Sequence, residues 1–345
     1  METINEKGPE VLTARSVLID EGKYGVNTAT VIAPLEPCTL ALPEYGLDAL
    51  SFCTGIGGLD CAAEQSNMRV LMGSDIWTAA EKNYPLNFGG DFLLGDMLDL
   101  NGDEILERVN RSRGELGCVF AGCPCPGVSG LNRKRNSLYH TNILMFKYIN
   151  LVSKIEPMCF VLEQVSGLGD KEVLNALHEI KMRFKEDLKN YVIQCRAVRT
   201  LYLSVPQDRT RWIFVGWHRS TGMLPVFPKP VKGSLAHLTI GAIAPEIDYL
   251  EIKGSRILRK ENTEFFPTVP ASEHVLLKMK DGSTQKLSNR PDLLLKVFGY
   301  PEGFKIHPDL SYAQIHRLIG NSVPPPMAKA VFTEIVRQLR SLRSY

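Results

Sequence analysis

Ala121-Gly122-Cys123-Pro124-Cys125-Pro126-Gly127-Val128-Ser129 stands where an apolar run breaks into a turn. The residues before the break, Cys118-Val119-Phe120-Ala121, read as a buried parallel strand. Glycine and two prolines then force a loop at the strand's carboxyl end. Open α/β sheets bind their ligands outside the carboxyl ends of the strands. A cysteine held on such a loop is a candidate nucleophile, because a thiolate attacks strongly once its pKa is lowered. The competing reading is a small buried thiol beside a turn.

The chain around this loop repeats the same pattern. Leu50-Ser51-Phe52-Cys53 reads as a strand and ends in Thr54-Gly55-Ile56-Gly57-Gly58, with a helix expected from Leu59 to about Gln65. Arg69-Val70-Leu71-Met72-Gly73 is a second strand, ending at Ser74-Asp75, and Trp77 to Tyr84 reads as helix. Met158 to Leu162 and Arg211 to Gly216 are further strands, with a helix from about Asn142 to Ile155. Strands alternating with helices predict an α/β fold with a mostly parallel, doubly wound sheet.

The flanking regions differ. Residues 1–46 carry scattered Pro and Gly without a period and read as an N-terminal extension. Between Pro225 and Pro270 fall six prolines, and charges interleave with short apolar runs. This marks 218–304 as a second, smaller domain after a large domain at 47–217. A helix then follows Gly320-Asn321-Ser322-Val323-Pro324. Met327, Val331, Ile335 and Leu339 recur every four residues, which gives that helix one buried face within the closing segment 305–345.

Bulk properties set limits. With 345 residues, 44% of them hydrophobic, the chain can bury a large core. A formal net charge of +2 excludes a polycation, so any nucleic-acid surface must arise by local clustering. The eight cysteines form no paired metal-ligand spacing, and no metal site is expected. Reduced thiols, a start without a basic-then-apolar leader, and no 18-residue apolar run predict an intracellular protein outside the membrane. Its place would be the cytoplasm or nucleoid, or the nucleus in a eukaryote.

Several constellations carry chemistry. Gly55, Gly57 and Gly58 sit between a strand and a helix, where backbone can approach a ligand and helix N–H groups are free. Asp75 lies 20 residues after Gly55 at the next strand's end, placed to accept both hydroxyls of a ribose. Ile76 follows it. Asp96 and Met97 follow a third candidate strand, where Asp96 can face an adenine amino group. Three carboxyl-end elements in register favour a nucleoside cofactor over isolated helix caps. Glu163 closes a strand of five apolar residues, and partial desolvation there raises a carboxyl pKa towards neutrality. Gln207, Arg209 and Arg211 alternate on an extended segment and share one face. Arg133-Lys134-Arg135 lies within ten residues of the cysteine loop, where it can grip phosphates or simply face solvent.

The ordered set Thr-Gly-Ile-Gly-Gly, Gly-Cys-Pro-Cys, Leu-Glu-Gln-Val, Gln-Asp-Arg-Thr-Arg and Gly-Asn-Ser-Val-Pro resembles the cytosine-5 DNA methyltransferase family over residues 49 to about 335. The resemblance implies a Rossmann-like S-adenosylmethionine-dependent methyltransferase domain, a small target-recognition domain, and a final helix returning to the large domain. It implies Cys125 as nucleophile, Glu163 as the cytosine-binding acid and Arg209 as support for the bound base. It assigns the cofactor site to Gly55, Gly57, Gly58, Asp75, Ile76, Asp96, Met97, Asn321 and Ser322. DNA contacts would come from Arg133, Lys134, Arg135, Gln207 and Arg211. The implied partner is double-stranded DNA bound by a monomer, with a cognate restriction endonuclease left open as a second partner. An RNA (tRNA) cytosine-5 methyltransferase and a catalytically weak DNA-binding relative are the alternatives. The chain departs from the family pattern at Cys53, usually Phe, at Pro126, commonly Gln, at Gln164, usually Asn, and at Arg290-Pro291-Asp292-Leu293.

Overall fold

In the computed structural model the apolar runs beside the Gly-Cys-Pro-Cys loop join into one seven-stranded sheet. The described residues are 47–124, 143–166, 174–230, 233–253, 257–271 and 275–342. The strands and helices of the first half are β1 (Asp48–Phe52), α1 (Gly58–Gln65), β2 (Arg69–Asp75), α2 (Thr78–Asn83), β3 (Asp91–Leu94) and α3 (Gly102–Arg108). They continue as β4 (Cys118–Ala121), α4 (Ile143–Ile155), β5 (Cys159–Val165), α5 (Leu174–Asp187), β6 (Tyr191–Arg199), β7 (Gln207–Asp208) and β8 (Thr210–His218). The sheet order is β3-β2-β1-β4-β5-β8-β6. The first five strands run parallel, while β8 is antiparallel to both β5 and β6. The order reverses between β1 and β4, and the crevice at such a switch point is where open α/β sheets bind ligands.

Helices cover both faces, as fully apolar parallel strands require. On one face α3, α4 and α5 pack over Leu50, Phe52, Val119, Phe160 and Leu162. On the other, α1 and the last helix pack over Ala49, Phe120, Val161 and Val215. This is the Rossmann-like three-layer arrangement. Two expectations change in detail. The strand expected over 158–162 runs from Cys159 to Val165, so Glu163 lies inside it rather than at its end. Pairing with β8 extends it, with Glu163 opposite Ile213 and Val165 opposite Arg211.

The remaining strands and longer helices are β9 (Ile247–Lys253), β10 (Ile257–Glu261), β11 (Phe266–Pro267), β12 (Val275–Met279), β13 (Thr284–Lys286), α6 (Pro291–Phe298), α7 (Tyr312–Asn321) and α8 (Pro325–Leu342). A four-stranded antiparallel sheet, β10-β9-β12-β13, packs with α6 and α7 around Leu250, Leu277, Leu294 and Leu318. The same core takes in Ile56, Ala79 and Ala80 of the first half, so the two units share buried surface. Short β11 pairs with β7, with Phe266 opposite Gln207. Helix α8 buries Met327, Val331, Ile335 and Leu339, the face expected from their spacing, and lies along α1.

Candidate active site

The glycine loop follows β1. Gly57 sits at φ +89°, in the left-handed region, and a Cβ there would strike the Phe88 ring at 2.3 Å. Gly58 is closed by backbone instead, since its Cβ would lie 2.2 Å from the Val323 carbonyl oxygen. That close approach brings the Gly320-Asn321-Ser322-Val323 turn, 265 residues downstream of Gly58 at Val323, against the start of α1. Gly55, at φ +57°, has open space where its side chain would be. Its N–H donates to Asp75 Oδ2 at 2.8 Å, and Trp77 N–H donates to Asp75 Oδ1 at 3.0 Å. Burial pushes the Asp75 carboxyl up, and these two backbone donors oppose the shift. A carboxylate has lone pairs left for two more donors.

The other nucleoside-site candidates lie around the same edge. Ile76 is 65% exposed, an apolar side chain left uncovered beside Asp75. Asp96 caps the turn after β3 by accepting from Leu98 N–H at 2.9 Å, and Met97 Sδ lies 3.9 Å from Cys53 Sγ. Asn321 is exposed at the end of α7, while the Ser322 hydroxyl donates to the Ile319 carbonyl. Open space at Gly55, an anchored carboxylate and an exposed apolar surface suit a ribose and a flat base, so the residues present fit an adenosyl cofactor.

The cysteine loop begins one strand away. Cys123 is buried, and its carbonyl accepts a hydrogen bond from Gln164 Nε2 at 3.1 Å. The glutamine therefore reaches the loop despite the methylene it adds over asparagine. Cys123 packs into the core with Met145 and Leu144, the environment of an inert structural thiol. Cys125, Arg133, Lys134 and Arg135 lie outside the described residues.

Glu163 lies beside this loop. Its Oε2 would be 3.6 Å from a Cβ on Gly122, three residues before Cys125. The carboxyl is 6% exposed and pairs with Arg211, Nε to Oε1 at 2.9 Å. Burial raises its pKa, and Arg211 and then Arg209 oppose the rise. A carboxyl raised in this way holds a proton more readily than an exposed one.

The Gln207–Arg211 segment does turn its three alternate side chains inward. Their destinations differ from the expected DNA surface: Gln207 and Arg211 are buried, and Arg211 is committed to Glu163. Arg209 is a brace. Its Nη1 donates to the carbonyls of Gly320 at 3.2 Å and Val269 at 3.4 Å, and its Nη2 to Ser322 at 3.2 Å. Its guanidinium also lies 5.4 Å from the Phe298 ring centroid. One side chain thus ties β7–β8 to the Asn321-Ser322 turn and to the small unit. Sequence reading marked Gln164 as a departure from asparagine, and missed Val269, Phe298 and Gly320 as partners of Arg209. No local signal marks these three, because they lie 60 to 111 residues from Arg209.

The model of the C-5 cytosine-specific DNA methylase family matches residues 47–265 and 239–337. The chain is 26% identical to the type II methyltransferase M.BsuFI of Bacillus subtilis over 304 residues, covering 83% of this chain and 71% of that one. It is 31% identical to the type II methyltransferase M.HpaII of Haemophilus parainfluenzae over 180 residues, 51% of this chain and 48% of that one. Among solved structures, the S. pombe Dnmt2 methyltransferase superposes with a TM-score of 0.60 at 17% identity, covering 86% of this chain and 99% of that one. That likeness speaks to the fold alone.

Proposed function

The chain belongs to the C-5 cytosine-specific DNA methylase family, and from that premise we propose that it methylates C5 of a flipped cytosine in duplex DNA through a covalent bond from Cys125. The observation that carries the proposal is the buried, Arg211-paired Glu163 beside Gly122 at the root of the cysteine loop. The Cys125 thiolate attacks C6 of the ring, forming an S–C6 bond. Glu163 holds a proton at N3 as electron density moves onto C5, which becomes the nucleophile. The family implies S-adenosylmethionine as methyl donor; when bound, it supplies a methyl group on a cationic sulfur. Once C5 carries the methyl group, it gives up its proton to a base. The S–C6 bond then breaks, restoring the double bond and the thiolate.

Asp75 would accept the ribose hydroxyls, and Gly55, Gly57 and Gly58 would bring backbone close to the cofactor. Ile76, Asp96 and Met97 would border the base, with Asn321 and Ser322 closing the other side. Arg209 supports this site by fixing the Asn321-Ser322 turn, and Arg211 sets the protonation of Glu163. Arg133, Lys134 and Arg135 contact phosphates. Taking the base out of the stack costs a few kcal/mol, offset by pocket and phosphate contacts. Residues 218–304, with their antiparallel sheet, read the target sequence, and a restriction endonuclease of the same specificity is the expected companion of a type II enzyme.

Transfer of labelled methyl groups from S-adenosylmethionine tests the proposal, with duplex DNA and tRNA as rival acceptors. Label entering duplex DNA at cytosine C5 is expected. Label entering tRNA alone, or no label in either, would refute it. Among the described residues no helix is long and apolar enough to cross a membrane.

A further inference from the structure

Asp60, on the first turn of α1, is completely buried and takes no part in the chemistry above. Its Oδ2 accepts from Ser51 Oγ at 2.9 Å, and its Oδ1 accepts from Tyr84 Oη at 3.3 Å. Ser51 Oγ also lies 2.9 Å from Thr54 Oγ1. Thr54 Oγ1 in turn accepts from Ser74 N–H at 3.0 Å. Each hydroxyl has one hydrogen to give. With the Ser51 hydrogen directed at Asp60, the Thr54 hydrogen has two acceptors, Ser51 Oγ at 2.9 Å and the Ser51 carbonyl at 3.4 Å, and taking the nearer one orders the donors along the row towards the carboxyl.

That row ends where the cofactor loop begins. Thr54 N–H donates to the Ser74 carbonyl at 2.9 Å, and the next residue, Gly55, makes the bond to Asp75. The loop carries two residues with positive φ before Gly57, Cys53 at 52° and Gly55 at 57°. Cys53 has a side chain that resists this region. The turn therefore needs an external hold, and the hydroxyls of Ser51 and Thr54 supply it inside the sheet.

The geometry points to Asp60 as a positioning residue for the cofactor: through Ser51 and Thr54 it fixes the Thr54-Gly55 turn against Asp75. The inference rests on the cofactor reading above. Thr54→Val keeps the shape of the side chain and removes the relay. Ser51→Ala cuts the relay one step nearer Asp60. Thr54→Ser keeps the hydroxyl. Phe184→Leu weakens a distant part of the core, where Phe184 packs on Phe160 and Phe214, and controls for general destabilisation.

The dissociation constant for S-adenosylmethionine is measured by calorimetry without DNA, alongside the melting temperature. Thr54→Val and Ser51→Ala should each weaken binding by about five- to tenfold, the worth of one or two ordered hydrogen bonds. Thr54→Ser should bind within about twofold of wild type, and Phe184→Leu should melt earlier with unchanged affinity. Wild-type affinity in a folded Thr54→Val or Ser51→Ala protein would overturn the inference, as would affinity in Phe184→Leu that falls with its melting temperature. A wild-type protein that binds no S-adenosylmethionine would instead bring down the cofactor reading beneath it, and this inference with it.

Discussion

Arg211→Met removes the positive partner of Glu163 while keeping a side chain of similar length. At 2.9 Å and an effective dielectric of about 20, the attraction between the two charges is about 6 kcal/mol before desolvation is charged against it. Broken buried pairs typically cost about 3–5 kcal/mol, because one charge is left alone in the interior. Glu163 escapes that cost by taking a proton. Its pKa already stands above the ordinary value through burial, and without Arg211 it must rise further. A carboxyl with a raised folded pKa favours folding most in acid and loses that advantage as pH climbs past its unfolded value. The destabilisation should therefore be small near pH 4.5 and grow to about 3–5 kcal/mol by pH 8. Urea unfolding followed by tryptophan fluorescence at several pH values measures it. The Glu163→Gln/Arg211→Met double variant strands no carboxylate and leaves Arg209 bonded to the Val269, Gly320 and Ser322 carbonyls, so it should recover most of the loss at pH 8. Equal destabilisation at both pH values, or a double variant no more stable than Arg211→Met, would refute the reasoning.

Three further outcomes are expected. Asp75→Ala removes the acceptor shared by Gly55 and Trp77 and should cost about 1–3 kcal/mol of S-adenosylmethionine binding by calorimetry. Burial pushes the Asp60 carboxyl up to about 7, so wild-type stability should decline between about pH 4 and 7, by at most about 4 kcal/mol from this group, and Asp60→Asn should flatten that slope in unfolding titrations. Neutralising Arg133, Lys134 and Arg135 together should weaken binding to all duplexes and reduce the log–log salt slope by roughly 0.9 per lost contact, read by fluorescence anisotropy over a salt series.

The parallel half of the sheet was legible because strands buried on both faces are continuous apolar runs that stop at Gly-rich turns. Cys118–Ala121 and the start of β2 needed no more than that. β6 was not legible: Tyr191-Val192-Ile193-Gln194-Cys195-Arg196-Ala197-Val198-Arg199 is an edge strand whose far half is half-buried or exposed, so its polar residues blur the run. β9 fails in the same way, with Asp248, Glu251 and Lys253 set among Ile247, Leu250 and Ile252. Alternation correctly put Gln207, Arg209 and Arg211 on one face. It could not reveal that the face is internal, since the carboxylate and carbonyls that receive those side chains come from Glu163, Val269, Gly320 and Ser322. Charged residues read as surface until a buried partner is known, and only the folded chain supplies one.

Duplex DNA carrying 5-fluorocytosine at the target position tests the central claim most directly. Fluorine cannot leave C5 as a proton does, so the S–C6 bond formed by the enzyme persists after methyl transfer. Incubation with S-adenosylmethionine should give a complex that survives denaturation. Proteolysis and mass spectrometry should place the adduct on Cys125, with Cys125→Ser forming none and Cys123→Ser forming it normally. An adduct on Cys123, or methyl transfer that continues in Cys125→Ser, would contradict the account.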